Sequence, residues 1–212
     1  MIDLHTHTLF SDGALLPSEL VCRTKAAGYE AIAITDHCDF SNLDFVIKRI
    51  KRITKILSSE YGIKVIAGTE ITYVPPVYIS KAVSLARKLG AGIVVVHGES
   101  PVEPVPIGTN KAGILAGCDI LAHPGFITEE DVILAAKKNV YLEITTRRGH
   151  KKGNLHVASL SLRLGASMVL NTDTHEPEDL LDLKKINDTL KSAGISKDYL
   201  KTMTDNSRRL LR

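Results

Sequence analysis

The sequence predicts a closed or nearly closed α/β barrel of parallel strands, formed as one domain over residues 1–212. Three observations predict it. Short apolar strands alternate with longer helices, which implies parallel pairing through right-handed crossovers. No linker, repeat or low-complexity segment interrupts that alternation. Reactive residues recur at or just past the C-terminal end of each strand, and in a parallel barrel those ends share one face, whereas an open sheet would scatter them.

The elements follow in order. Ile2 and Leu4 alternate with polar neighbours as a short buried strand, followed by His5-Thr6-His7 and the turn Ser11-Asp12-Gly13. Pro17-Ser18-Glu19-Leu20 opens a helix that stops at Gly28. Ala31 to Thr35 is a continuously apolar strand ending on Asp36-His37, and Phe45 to Leu57 has helical spacing. Lys64 to Ile71 is the third strand, carrying Gly68-Thr69-Glu70, and Val77 to Leu89 a helix stopped by Gly90. Ile93 to Val96 ends on His97-Gly98-Glu99. Pro101, Pro104 and Pro106 mark Ser100 to Gly108 as a rigid loop, and Asn110 to Gly117 is a brief helix.

Asp119 to Ala122 ends on His123-Pro124-Gly125, and Thr128 caps a helix running to Lys138 with Glu130 and Asp131 in its first turn. Val140 to Ile144 is the sixth strand, Asn154 to Leu164 a helix, and Ser167 to Leu170 the last strand, leading into Asn171-Thr172-Asp173-Thr174-His175. Glu178 to Ala193 and Lys197 to Leu211 close the chain as helices. The count is seven strand–helix units.

A hydrophobic content of 44% with 24% charged residues excludes disorder and fits a chain that buries a sizeable core. No apolar run approaches the roughly 18 residues needed to span a bilayer, and no basic-then-apolar signal opens the chain, so a cytoplasmic location is expected. Cys22, Cys38 and Cys118 are too few and scattered for a disulfide framework or a zinc ribbon. The net charge of +3 is too small to argue for nucleic acid, yet acceptable for an anionic ester.

The chemistry lies at the strand ends. His5 and His7 share one face of an extended backbone, so both imidazoles can reach one metal. His37, Glu70, His97, His123, Asp173 and His175 occupy the matching positions downstream, and Asp12 sits in the turn after the first strand. Imidazole and carboxylate donors without thiolates suit Zn, Mn or Fe. Nine candidate donors exceed the needs of one ion. Two or three divalent ions are therefore expected, with Glu70 as the natural bridge.

His5-Thr6-His7-Thr8 with Ser11-Asp12-Gly13, then Thr35-Asp36-His37, Gly68-Thr69-Glu70, His97-Gly98, His123-Pro124 and Asp173-Thr174-His175 resemble the PHP (polymerase and histidinol phosphatase) family in motif and order over nearly the whole chain. The resemblance implies a distorted (β/α)7 TIM-like barrel and a trinuclear metal centre that hydrolyses phosphate esters. It assigns the nine residues as metal ligands with Glu70 bridging; a hydroxide activated by the ions is then the expected attacking group. Asp173, Glu70 and His175 are the expected catalytic members.

Thr145 to Lys152 follows the sixth strand on the same face, and Arg147 or Arg148 is expected to hold a phosphate bidentately. Lys151 and Lys152 are expected as surface and His156 as a local contact, while His150 is able to line the pocket. The expected substrate is a small phosphate ester, like that of the family's histidinol-phosphate phosphatases, or a short oligonucleotide. The alternative is an RNA-binding or scaffold protein of the ribonuclease P subunit type. Deamination or amide hydrolysis ranks third.

Overall fold

The computed structural model describes residues 1–211. Among them, parallel strands β1 (Ile2–Asp3), β2 (Ala31–Ile34), β4 (Lys64–Ile71), β5 (Ile93–His97), β6 (Ile120–Ala122), β7 (Tyr141–Thr145) and β8 (Met168–Asn171) pair in that order. A two-residue β3 (His37–Cys38) pairs with β4. Ile34 pairs with Ala67 and His37 with Glu70, so one register runs through β2 and β3. They are a single strand interrupted at Thr35–Asp36, where Thr35 N–H turns instead to Thr6 O at 2.8 Å.

The seam between β8 and β1 closes only at the C-terminal end. There Asp173 N–H donates to His5 O at 3.0 Å and His7 N–H to Thr174 O at 2.8 Å. Deeper in the seam, Asn171 Oδ1 accepts from Leu4 N–H at 2.9 Å, a side chain standing in for a strand. The result is a nearly closed seven-stranded barrel, as the alternation of elements requires.

Two apolar layers hold it. Ala31, Ala33, Ile93, Val95, Ile120 and Ala122 alternate inward and fill the barrel, with Leu210, just past the last helix, beside them. Their neighbours Ile32, Ile34, Val94, Val96 and Leu121 face outward against the helices. Every other strand residue thus packs one layer, as period-two geometry demands.

Helices α1 (Pro17–Ala26), α2 (Leu43–Tyr61), α3 (Pro76–Leu89), α4 (Thr109–Ala116), α5 (Glu129–Lys138) and α6 (Asn154–Leu164) cover the strands. Thr128 caps α5 by accepting from Asp131 N–H at 3.2 Å. The helix expected from Glu178 is shorter. Pro177–Asp179 forms one 3-10 turn, and α7 (Leu183–Ser192) starts only after Asp182, whose carboxylate accepts from Lys185 N–H at 2.7 Å. Helix α8 spans Tyr199–Arg209. No helix among the described residues is long and apolar enough to cross a membrane.

Candidate metal centre

The turn after β1 is built to fold back on the strand end. A Cβ at Gly13 would lie 2.5 Å from His7 O, so only glycine permits this approach. Asp36, from the break after β2, accepts from Thr8 N–H at 2.6 Å, Thr8 Oγ1 at 2.8 Å and Ser11 Oγ at 2.8 Å. So anchored, the turn sets Asp12 Oδ1 3.1 Å from His175 Nε2, 3.6 Å from His37 Nε2 and 4.0 Å from His7 Nδ1.

Glu70 and Asp173 lie at the middle of the imidazoles. Glu70 Oε1 is 3.3 Å from His5 Nε2 and 3.7 Å from His123 Nε2, while Oε2 is 3.7 Å from His7 Nε2 and 2.7 Å from His37 Nδ1. The two oxygens of one carboxylate therefore face different histidine pairs. Asp173 Oδ1 lies 3.1 Å from His7 Nε2 and 3.7 Å from His5 Nε2, and its Oδ2 is 3.7 Å from His123 Nε2. His97, at the end of β5, joins Glu70 and His123 in a third group. His123 and Asp173 have left-handed backbones, with φ of 26° and 56°, strain of the kind found at functional sites.

The structure brings all nine expected side chains to one barrel end. They form overlapping clusters: His7, Asp12, His37 and His175; His5, His123 and Asp173; His5, His7 and Glu70; Glu70, His97 and His123. Within them, His5 Nε2, His7 Nε2, Glu70 Oε1 and Asp173 Oδ1 are buried without any hydrogen-bond partner. His37 Nδ1 is 2.7 Å from both Glu70 Oε2 and Thr72 Oγ1, and its one N–H can serve only one of them. Polar atoms left bare in a dry interior are costly, and divalent cations are the group that would satisfy nitrogen and oxygen lone pairs together. The donor set fits them.

The electrostatics of the cluster are correspondingly skewed. Burial alone would strip His5 of its proton, but Glu143, Glu70 and Asp173 hold its pKa well above the ordinary value. Burial and the neighbouring His37 and His5 push His7 well below it. Burial opposes ionisation of Glu70, yet His5, His37 and His97 hold its carboxyl well below the usual range. For Asp173, burial raises the pKa, His5 pulls it down and Glu70 pushes it up, leaving it at about 7. Two adjacent carboxyls are thus driven apart, the pattern of a functional site.

Four further residues shape the site without a motif to announce them. Glu143 stands between Leu142 and Ile144 on β7, and Asp3 between Ile2 and Leu4 on β1. Both are fully buried. A charged residue inside an apolar strand was their only sequence signal. Glu143 receives His5 Nδ1 at 2.8 Å and His123 N–H at 3.0 Å; Asp3 accepts from His5 N–H at 3.2 Å and Thr172 Oγ1 at 2.5 Å. Glu103 approaches from the loop after β5 and His150 from the 3-10 turn His150–Gly153 after β7, with Glu103 Oε2 2.8 Å from His97 Nε2.

Arg147 and Arg148 are placed apart from the cluster. The open cavity at the end of the barrel that carries the donor cluster, about 510 Å³, is lined by Asp12, His37, Thr72, Tyr73, His97 and Glu103. The arginines line another, with Lys151, Lys185, Glu178 and Asp179. Arg147 Nη1 donates to Asp179 Oδ2 at 2.9 Å, and the same oxygen accepts from His175 N–H, also at 2.9 Å. Arg148 is exposed. His156 Nε2 donates to Ile127 O at 2.7 Å, outside the cluster.

The PHP domain model matches residues 3–145. The chain is 48% identical over 182 residues to an uncharacterised protein of Methanocaldococcus jannaschii, covering 85% of this chain and 84% of that one. It is 26% identical to a probable phosphatase of Clostridium novyi, with coverage of 94% and 89%. Among solved structures, a chain of archaeal ribonuclease P with mature tRNA superposes with a TM-score of 0.76 at 16% identity, over 100% of this chain and 90% of that one. That last likeness is one of fold.

Proposed function

The chain belongs to the PHP domain family, and we propose that it is a metal-dependent phosphoesterase acting on a small phosphate ester. The observation that carries this reading is the set of buried, unpartnered donor atoms on His5, His7, Glu70 and Asp173 at the open end of the barrel. The probable phosphatase of Clostridium novyi, similar over almost the whole chain, supports the same chemistry. Two or three divalent ions, Zn, Mn or Fe, would supply activation of water and neutralisation of the charge that develops on phosphorus oxygens.

The chain's own residues do the rest. Glu70, whose two oxygens face different histidine pairs, would hold the ions together with those pairs. Asp173, within 3.7 Å of His5, His7 and His123, would hold an ion together with them. His175, set by its Nδ1 at 2.9 Å from Asp173 O, holds Asp12 over the cavity mouth. These three are the proposed catalytic members. The arginines divide their roles: Arg148 is exposed and open to a phosphate oxygen, whereas Arg147 is committed to Asp179. A cytoplasmic location, with a short oligonucleotide as the other substrate class, belongs to the same proposal.

A binding or scaffold role of the ribonuclease P type has only likeness of fold behind it. The complete donor set favours the hydrolase. The test is a panel of phosphomonoesters and short phosphodiesters assayed with Mn²⁺, Zn²⁺ or Fe²⁺. Turnover of one ester that chelation abolishes is expected. A fully metallated protein that turns over none of them, yet binds structured RNA tightly, would overturn the reading.

A further inference from the structure

We propose that Glu103 and His150 are two further donors of the metal centre, extending the position formed by Glu70, His97 and His123 toward the cavity mouth. The inference rests on the metal-dependent reading above and concerns residues outside the nine-donor set.

Three observations carry it. The first is orientation. His5, His97 and His175 each have Nδ1 tied, to Glu143, Gly98 O and Asp173 O respectively, which turns Nε2 toward the cluster. A histidine whose second nitrogen is fixed by a neighbour is the usual form of a metal ligand. His150 is built the same way. Its Nδ1 is held at 2.7 Å by Ser100 Oγ, its side chain is buried, and its ring lies 4.3 Å from that of His123.

The second is spacing. Glu103 Oε2 lies 2.8 Å from His97 Nε2, and Oε1 lies 3.5 Å from His150 Nε2. Donors about 2.0–2.2 Å from an ion stand roughly 3.3 Å apart, so the Glu103–His150 separation is that of neighbouring ligands, while the 2.8 Å Glu103–His97 contact is a hydrogen bond that an ion would open by about half an ångström. The carboxylate already lies on the one His97 nitrogen free to coordinate.

The third is support. Tyr73 hydroxyl donates to Glu103 Oε2 at 3.2 Å, and the Tyr73 ring stacks 5.6 Å from that of His97 at 26°. Tyr73 holds a left-handed backbone, φ 54°, to do so. The loop carrying Glu103 is pinned at its base, where Glu99 Oε1 accepts from Gly108 N–H and Asn110 N–H, both at 2.9 Å. Glu103 is thus held in place from two sides. Its carboxylate, a third exposed, is the group nearest solvent at that position.

The test is metal titration of the full chain, read by elemental analysis and calorimetry without reference to turnover. In Glu103→Gln and His150→Gln, one class of ion is expected to bind at least about 10-fold more weakly, with the double variant one equivalent short and the remaining ions bound as in wild type. Circular dichroism checks that each variant is folded, and Tyr73→Phe, which frees Glu103 from its donor, should weaken the same class of ion to a lesser degree. Wild-type stoichiometry and affinity in both Gln variants would overturn the inference while leaving the phosphoesterase reading intact. A fall in kcat/KM with unchanged metal binding would also overturn it, placing these residues on substrate. A wild-type chain that binds no divalent ion would remove the centre itself.

Discussion

His5 Nδ1 lies 2.8 Å from Glu143 Oε1, and neither side chain is exposed. Glu143 Oε1 also accepts from Asn171 Nδ2 at 2.9 Å, and Oε2 from the His123 backbone N–H at 3.0 Å. One buried carboxylate thereby joins the ends of β1, β6 and β8 and aims His5 Nε2 into the site.

Replacing Glu143 by Gln should therefore weaken divalent-ion binding by about 10–100-fold, because His5 loses the partner that fixes its ring and strengthens it as a donor. Glu143→Ala should in addition destabilise the metal-free chain by about 3 kcal/mol, since buried His5 loses its nearest anionic partner and keeps only Glu70 at 3.3 Å and Asp173 at 3.7 Å. Calorimetric metal titration and urea unfolding read the two effects. Unchanged affinity in Glu143→Gln would mean that the pair is structural only.

The convergence of the nine proposed donors was legible in the sequence because eight of them stand at strand ends, where the period of the strands says which way a side chain emerges, and Asp12 follows in the turn after the first. His5-Thr6-His7 and Asp173-Thr174-His175 needed nothing else. Glu143 and Asp3 were not legible, since the motifs mark strand ends and both sit within the strands. Glu103 lies in a proline-rich loop whose path no periodicity encodes. The interruption of β2 at Thr35–Asp36 was equally hidden, because it depends on Thr6 O competing for a backbone N–H from another strand.

Asp173→Asn should abolish metal binding and activity yet raise the melting temperature of the metal-free chain at pH 8. The sign follows from its carboxyl, shifted from 3.8 to about 7. The folded state holds that proton more tightly than the unfolded chain, so stability declines as pH rises through this window. The neutral amide removes the penalty, and each kcal/mol recovered is worth about 2–4 °C. His7→Ala should also lose metal and activity, whereas His156→Ala, which touches Ile127 O instead, should keep both. A lower melting temperature for metal-free Asp173→Asn would contradict the crowded-carboxylate account.

The metal-free chain should lose stability between pH 6.5 and about 9. Burial opposes the charge on His37, but Glu70, Asp12 and Asp173 raise its pKa from 6.5 to about 9. A raised histidine contributes stability that is fully present below the unfolded value and lost as pH rises through the folded one. Ions compete for the same imidazole, so metal affinity should climb across this range as the proton leaves. Thermal melts with and without Mn²⁺ at several pH values test both halves. His37→Gln should flatten both, and an unaltered pH profile in that variant would assign the effect elsewhere.

The two arginines should part company on substitution. Arg147 pairs with Asp179, whose Oδ2 also holds the His175 and Glu176 backbone N–H groups, each at 2.9 Å. Arg147→Ala frees that carboxylate to swing and slackens the backbone at His175, so metal affinity should fall along with kcat. Arg148 is exposed and makes no ion pair or hydrogen bond among the described residues. Its removal should raise KM for the best ester several-fold with bound metal unchanged, as expected of a cation that meets only the substrate. The comparison is made on elemental analysis and steady-state kinetics of both variants. Wild-type kinetics in Arg148→Ala would exclude that guanidinium from substrate binding, and an Arg147→Ala variant with intact metal content and a raised KM would show that Arg147 leaves Asp179 to hold the phosphate itself.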